Sequence, residues 1–479
     1  MLRQQFSNTL SWFTRTKTFE AWLRILIPPI VLVLVAFLAF GSSKMIALGL
    51  IGLCVGVGAL VLLLRHLPLG VVLLIPASLV VPFTVGTGTG TSINATILLL
   101  GLIAVAWLID QVVIKKELRL ARSVTLTPVL AFIFISFIGF LSGQFPWFPA
   151  IQGAPLTSQI GGLIIFLMSA AAFLIVANVI KEPRYLEYMT WLLLGIGAFY
   201  MLGRILPRPF EDLIRELFPI GADASLFWVW LTSMATAQAL FNVRLSRNIR
   251  VSLGALVVAA IYVSLVKNYD WKSGWMPALV SLFVVIWIGA PRFRVFAILG
   301  LAAVVLINFT NVASALTGQE DYSISTRSEA WKIVLDISKA NPVTGLGFAN
   351  YYWYTPLYVI MGYRVKFNSH NNYLDLLAQT GALGLLVFLW LSARLGILGR
   401  DLLKIVPPGF HKAYIIGALG GLVGTLAAGM LGDWFLPFVY NVGFVGFRSS
   451  VFAWLFLGGL VVYEQLARQA QTRVDLTTG

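Results

Sequence analysis

An all-α, polytopic membrane bundle of about 14 transmembrane helices (12–14 with uncertain ends) is the fold this sequence predicts, by the length a bilayer demands. Three observations predict it. Of 479 residues, 59% are apolar and 11% charged, with a mean hydropathy of +0.89, which is not the composition of a water-soluble chain. Stretches without charge recur from Ile25 to Tyr463, each near the roughly 20 residues that cross a hydrocarbon core. Backbone in that core must bond within its own segment, so repeated spans of this length are helices.

In order, the apolar runs are 25–41, 45–64, 67–83, 93–113, 125–142, 160–180, 186–203, 225–242, 250–267, 275–290, 294–310, 373–393, 411–431 and 445–463. The third and tenth are short, as tilted or re-entrant segments are. Three regions follow: N-terminal spans (1–310), a long external loop with short interfacial helices (311–372), and C-terminal helices with a tail (373–479). No internal repeat or low-complexity stretch stands out. Cys54 is the single cysteine and lies inside an apolar run, so the chain forms no intrachain disulfide and no thiol metal site. Arg3, Arg15, Lys17 and Arg24 precede a first apolar run that many others follow, the pattern of a retained span rather than a cleaved signal.

The net charge of +15 would raise nucleic acid as a partner for a soluble chain; here it follows the membrane, and no nucleic-acid partner is expected. With the N-terminus inside, 22 of the 34 Lys and Arg fall in cytoplasmic segments. The positive-inside rule then places both termini in the cytoplasm, and an even number of spans keeps basic and neutral loops alternating. Eight of the remaining twelve cations sit in two external loops, 203–224 and 311–372. The longer one, about 60 residues, far exceeds an ordinary connection, and such loops are usually functional or disordered. Its aromatic and periodic content argues against disorder, so the working face is expected outside.

Within that loop, "TRSEAWKIVLDISKANP" predicts a helix with Thr326 and Glu329 as a capping box. Asn341-Pro342 ends it, and Arg327 becomes the first helical residue, at a helix end that attracts anions. An amphipathic helix lying on the membrane explains the same charges. Gly345 and Gly347 allow a tight turn. Phe348, Tyr351, Tyr352, Trp353 and Tyr354 follow, and rings of this kind serve equally as interface anchors or as platforms for sugars. "NSHNNYLDLL" places His370, one of three histidines, beside a long apolar run. A helix beginning near Asn368 sets His370, Tyr373, Leu374 and Leu377 on one face. It is a cap at the interface or a catalytic group, and polar groups gathered at a membrane protein's working face favour the second.

The shorter loop, "RILPRPFEDLIRELFPIGAD", spaces Phe210, Leu213, Ile214 and Leu217 as an interfacial helix. Glu211 stands four residues before Arg215. Arg208 and Arg215 flank this helix, as surface charges or as a basic contact for an anionic lipid head. "KNYDWKSGWMPALV" places Lys267, Asp270 and Lys272 at the outer turn before the tenth span, where Asp270 can neutralise a lysine.

The segment from 327 to about 390 resembles the O-antigen ligase and polymerase superfamily of bacterial envelope glycosyltransferases. The residues carrying the resemblance are Arg327, Trp331, Asn341-Pro342 and Gly345-x-Gly347, then "SHNNYLDLLAQTGALG" with its His-Asn-x-Tyr start. The first 250 residues match only as membrane helices. The family often has an arginine opening an earlier external turn; here "WKSG" puts Lys272 there, which keeps the charge but loses the bidentate fork.

The external acids, adjacent Glu320-Asp321 and the scattered Asp223, Asp270 and Asp433, form no Asp-x-Asp pattern, so a metal-independent mechanism is expected. The resemblance implies an enzyme without cofactors in the cytoplasmic (inner) membrane, acting on its outer face. It would transfer an oligosaccharide from a polyprenyl-diphosphate carrier such as undecaprenyl diphosphate to an acceptor hydroxyl. It also implies membrane lipid as a partner and a glycan or lipid as acceptor. His370 would be the general base, Arg327 and Lys272 would stabilise the leaving diphosphate, and Asn371, Asn372 and Tyr373 would orient His370 or the sugar. Arg208 and Arg215 would add substrate contacts. Ligase, polymerase and protein O-oligosaccharyltransferase activities share this donor chemistry. A lipid-linked oligosaccharide transporter is the alternative class, but it would place its polar groups at the bilayer midplane, whereas here they gather in outer loops.

Overall fold

The computed structural model describes residues 58–60, 62–86, 92–307 and 322–478, in two units, Met1–Arg65 and His66–Gly479. In the first unit the described residues 58–60 and 62–65 are helical. The expected span 25–41, most of 45–64, Cys54 and residues 311–321 of the long loop lie outside the described residues.

The second unit is built from helices, as predicted. They are α1 (Leu67–Leu79), α2 (Ala95–Leu108, continued by a π-helical turn to Ile114), α3 (Leu126–Ser142), α4 (Leu156–Val179) and α5 (Pro183–Ile205). Then follow α6 (Arg208–Leu217), α7 (Ser225–Phe241), α8 (Arg247–Tyr262, with a π turn to Lys267), α9 (Lys272–Gly289) and α10 (Arg294–Ile307). The last are α11 (Tyr322–Ser338), α12 (Asn350–Tyr354), α13 (Asn372–Ile405), α14 (Phe410–Leu431) and α15 (Gly443–Thr478). A short antiparallel pair, β1 (Thr84–Gly86) and β2 (Ser92–Asn94), sets Val85 opposite Ile93. Every expected run from 67–83 onward coincides with a helix among the described residues, residues 308–310 of the run 294–310 lying outside them. Eight helices among the described residues are long and apolar enough to cross a membrane: the chain is a polytopic helical membrane protein. The short third run is α1, of 13 residues; the tenth, α9, gains a turn from Lys272 to Gly274 and reaches 18.

The packing follows from side-chain size. Helices α7, α9 and α14 lie against one another, and α7 is buried nearly all round, Trp228 and Trp230 included, as an apolar helix at a bundle centre must be. Helix α14 makes room with small residues: a Cβ at Gly420 would meet Val285 at 2.4 Å, and one at Gly421 would meet the Trp230 ring at 2.6 Å. In lipid, where apolar contact alone does not drive association, such close approach is what holds helices together. Helix α15 packs along α4, and α3 along α13.

Connections alternate between two ends. At one end, Asn350 donates to Gly143 O, Tyr440 to Ser158, and Arg204 to Asn268, and the Trp271 and Trp434 rings meet edge to face at 5.8 Å. At the other, Ser123 donates to Glu464 and Ala121 N to Asn178. Arg448, counted among the outer charges, is not solvated: it lies buried in α15 and donates to Val81 O (2.8 Å) and Phe83 O (3.1 Å), satisfying carbonyls just past α1.

Candidate active site

The long loop is a folded layer on the bundle. Phe348 and Tyr351 are fully buried and Tyr354 nearly so; the two tyrosines pack with Ala330, Ile333, Val334 and Ile337 of α11, and the Phe348 ring meets Phe166 of α4 at 4.9 Å. Neither the anchor reading nor the sugar-platform reading describes these three rings; they are core. Asn341 ends the helix region as expected and donates to Gly345 O at 2.7 Å. Gly345 and Gly347 take φ of +74° and +88°, and a Cβ on Gly347 would stand 2.1 Å from Gly143 Cα. Only glycine permits that approach.

This turn is laid into a break in α13, where Gly381 has φ of +70°. Leu346 N donates to Ala378 O (2.8 Å), Gly347 N to Gln379 O (3.1 Å) and Ala382 N to Pro342 O (2.8 Å). The backbone groups freed by the break are thus bonded by the loop, as buried groups require. Two segments singled out separately, Asn-Pro with Gly-x-Gly and His-Asn-x-Tyr, are one piece of structure.

The approach to α13 fixes His370. Helix α13 begins at Asn372, not near Asn368, because Asn371 is its cap and accepts from Tyr373 N at 2.9 Å. Ser369 Oγ donates to Asp375 at 2.7 Å, Tyr351 also donates to Asp375, and Trp331 Nε1 donates to Ser369 O at 2.8 Å. With both neighbours held, His370 adopts φ of +47°, a region that costs a β-carbon-bearing residue energy.

His370 and Arg327 line one cavity of about 310 Å³, with Thr326, Ala330, Ile360, Phe367 and Asn368. Arg327 Nη1 donates to Leu431 O at 3.3 Å. It does not open its helix: α11 starts at Tyr322, since nothing between 322 and 326 breaks the ladder. The capping box is not formed, and Glu329 accepts instead from Met361 N at 3.2 Å. What Arg327 presents to the cavity is its guanidinium, not a helix end. Burial pulls its pKa below the ordinary value, and arginine stays protonated regardless.

Behind His370 stands Asp433, a residue that sequence spacing does not connect to the site. Asp433 is 1% exposed; its Oδ1 accepts from Asn441 Nδ2 at 2.6 Å and its Oδ2 from Phe438 N at 2.9 Å. The same Asn441 nitrogen lies 3.4 Å from His370 Nδ1. Burial is the main force holding the imidazole below its ordinary pKa; the Asp433 carboxylate opposes it and Arg327 adds to it. Burial likewise pushes the Asp433 carboxyl up, against the hydrogen bonds from Phe438 and Asn441. The available signal was that Asp433 is the only carboxylate between Asp401 and Glu464, isolated between two apolar runs.

The other expected site residues divide. Asn371 is a helix cap. Asn372 accepts from Phe435 N (2.8 Å) and donates to Leu436 O (2.7 Å), pinning the segment that carries Asp433. Tyr373 donates to Leu426 O at 2.8 Å. Their amides and hydroxyl are engaged with the backbone rather than turned to a substrate. Lys272 opens α9 with its ammonium 5.4 Å from the Tyr269 ring centre; it does not line the His370 cavity, and its neighbour Trp271 meets Trp434 beside Asp433. Arg208 and Arg215 line a different cavity, of about 710 Å³, with Lys267 and Glu211. Lys267 pairs with Glu211 at 3.7 Å and not with Asp270.

No curated protein matches the chain. Residues 250–389, which hold Lys272, Arg327, the glycine turn and His370, match the family model described as O-Antigen ligase. Over that segment the match supports kinship with the O-antigen ligase superfamily.

Proposed function

We propose that this protein transfers a glycan from a polyprenyl-diphosphate carrier to an acceptor hydroxyl at the outer face of the cytoplasmic membrane. One observation carries the reading: His370, on a strained backbone, shares a cavity with a half-buried guanidinium and is backed by a buried carboxylate. A basic group, a cation for phosphate and a counter-charge for the imidazolium are the parts that metal-free glycosyl transfer needs.

In the reaction, the bond from the anomeric carbon to the diphosphate oxygen breaks and the electron pair leaves with the diphosphate. The acceptor oxygen bonds the anomeric carbon and its proton passes to His370. Burial keeps His370 neutral and ready for that proton; Asp433 stabilises the ring once charged. Arg327 offers planar paired donors to the diphosphate as its charge grows. Lys272, at the start of α9 beside the Trp271 that meets Trp434, lies outside the cavity and adds positive charge only at longer range.

Purified protein in liposomes, supplied with a carrier-linked oligosaccharide and either a lipid or a second carrier-linked repeat, tests the reading. A product heavier by one glycan on the lipid identifies a ligase, and one extended on the carrier identifies a polymerase. Carrier moving across the vesicle with no product would establish transport instead.

A further inference from the structure

The cavity beside α6 is a second polar site on the working face, separate from His370. Its volume is about 710 Å³, and Arg208, Arg215, Lys267, Glu211 and Asp212 line it. Glu211 draws three cations: Arg215 at 3.0 Å, Arg204 at 3.3 Å and Lys267 at 3.7 Å. Those charges, led by the Arg215 hydrogen bond, hold the Glu211 carboxyl below its ordinary range. Three cations, Arg208, Arg215 and Lys267, line the cavity with two carboxylates, and one of those carboxylates is also paired with Arg204 from behind, so the acids leave a positive excess.

The site is rigid. Helix α6 is seated on α5 by Ile214, 2% exposed, over Gly203, where a Cβ would fall 1.9 Å from the Ile214 side chain. Arg204, which does not line the cavity, braces Glu211 from within the bundle: it is 7% exposed, its Nη2 donates to Asn268 at 2.8 Å, and its buried Nε has no hydrogen-bond partner. On the opposite edge of α6, Phe210, Leu213 and Leu217 are exposed. A helix with one apolar edge open to its surroundings and one basic edge lies at the membrane surface, its apolar residues among acyl chains and its cations at headgroup depth. An anion filling this cavity therefore comes from the bilayer.

We propose that the Arg208–Arg215–Lys267 cavity binds the phosphate of a membrane lipid. Resting on the glycosyl-transfer reading, the bound lipid is held on the acceptor side of the reaction. The contacts running from Arg204 through Asn268 and the Trp271–Trp434 pair to Asp433 tie this cavity to the His370 site. The chemistry is common to a bulk phospholipid headgroup and to a phosphate-bearing glycolipid acceptor.

The test is native mass spectrometry of the full chain released from nanodiscs of equal phosphatidylglycerol and phosphatidylcholine. Wild type should retain phosphatidylglycerol preferentially, and the preference should fall roughly five-fold for each cation lost in Arg208→Gln and Lys267→Gln. Arg208→Lys with Lys267→Arg should keep it, as should Lys332→Gln with Lys339→Gln, which removes two charges elsewhere on the same face. Unchanged retention in the glutamine variants, or equal loss in the Lys332 and Lys339 pair, overturns the proposal. A second arm replaces phosphatidylglycerol with a monophosphorylated glycolipid. Tighter retention of either lipid names the source, while inorganic phosphate displacing both at equal concentration overturns the requirement for a lipid. A His370→Ala protein that loses transfer but keeps phosphatidylglycerol separates this claim from the catalytic one.

Discussion

In the proposed transfer His370 is neutral before the reaction and charged during it, and its surroundings divide that work. Burial favours the neutral ring, while Asp433 favours the charged one. A depressed pKa extends the basic form toward acid, so the rate should be flat at neutral pH. It should fall only as pH drops through a value below the ordinary 6.5. Asp433→Asn removes the influence that raises the pKa, so the acid limb of the pH–rate profile should move to still lower pH while the maximal rate falls. A limb that moves upward would show that Asp433 does not act on His370. At this scale the sequence was partly legible. Arg327 and His370 stand out by residue type and place, and they do share a cavity. Asp433 did not, because its role depends on a turn after α14 that folds back to within reach of Asn441 and His370, and chain distance carries no trace of that return. Asn371 and Asn372 were legible as polar residues at a helix start, but their duty is to the backbone.

At the scale of elements, the device that assembles the site is the glycine turn set into the break of α13. Four main-chain hydrogen bonds, from Leu346, Gly347, Ala382 and Leu383, join it to that helix. Gly347→Ala adds a methyl 2.1 Å from Gly143 Cα at φ of +88°, a clash and a strained backbone together worth about 2 kcal/mol or more. A lowered thermal midpoint in detergent, with loss of transfer at temperatures where wild type is active, is the expected outcome. An unaltered midpoint would mean that the loop is not locked to α13. Helix positions were read well from apolar runs, since bilayer thickness sets their length. The start of α11 was not, because a capping-box pattern competes with continued helix, and here the ladder won. The seating of α6 on Gly203 was also hidden: four apolar residues at helical spacing show an amphipathic helix but not that Ile214 alone turns inward.

For the whole molecule, connections gather alternately at two ends, and the proposal that the end carrying His370 faces outside rests on the positive-inside bias. Single cysteines placed in a Cys54→Ser chain test this. An impermeant thiol reagent added to intact cells should label positions 152 and 339 and spare 119 and 404; the reverse pattern would invert the topology. The central claim is that His370 drives cleavage of a carrier-linked glycan. Its most direct measurement is release of polyprenyl diphosphate from a lipid-linked oligosaccharide by purified wild type and by folded His370→Ala. Release with acceptor present, reduced about 100-fold or more in the variant, is the predicted result. Equal release by both proteins would contradict the account.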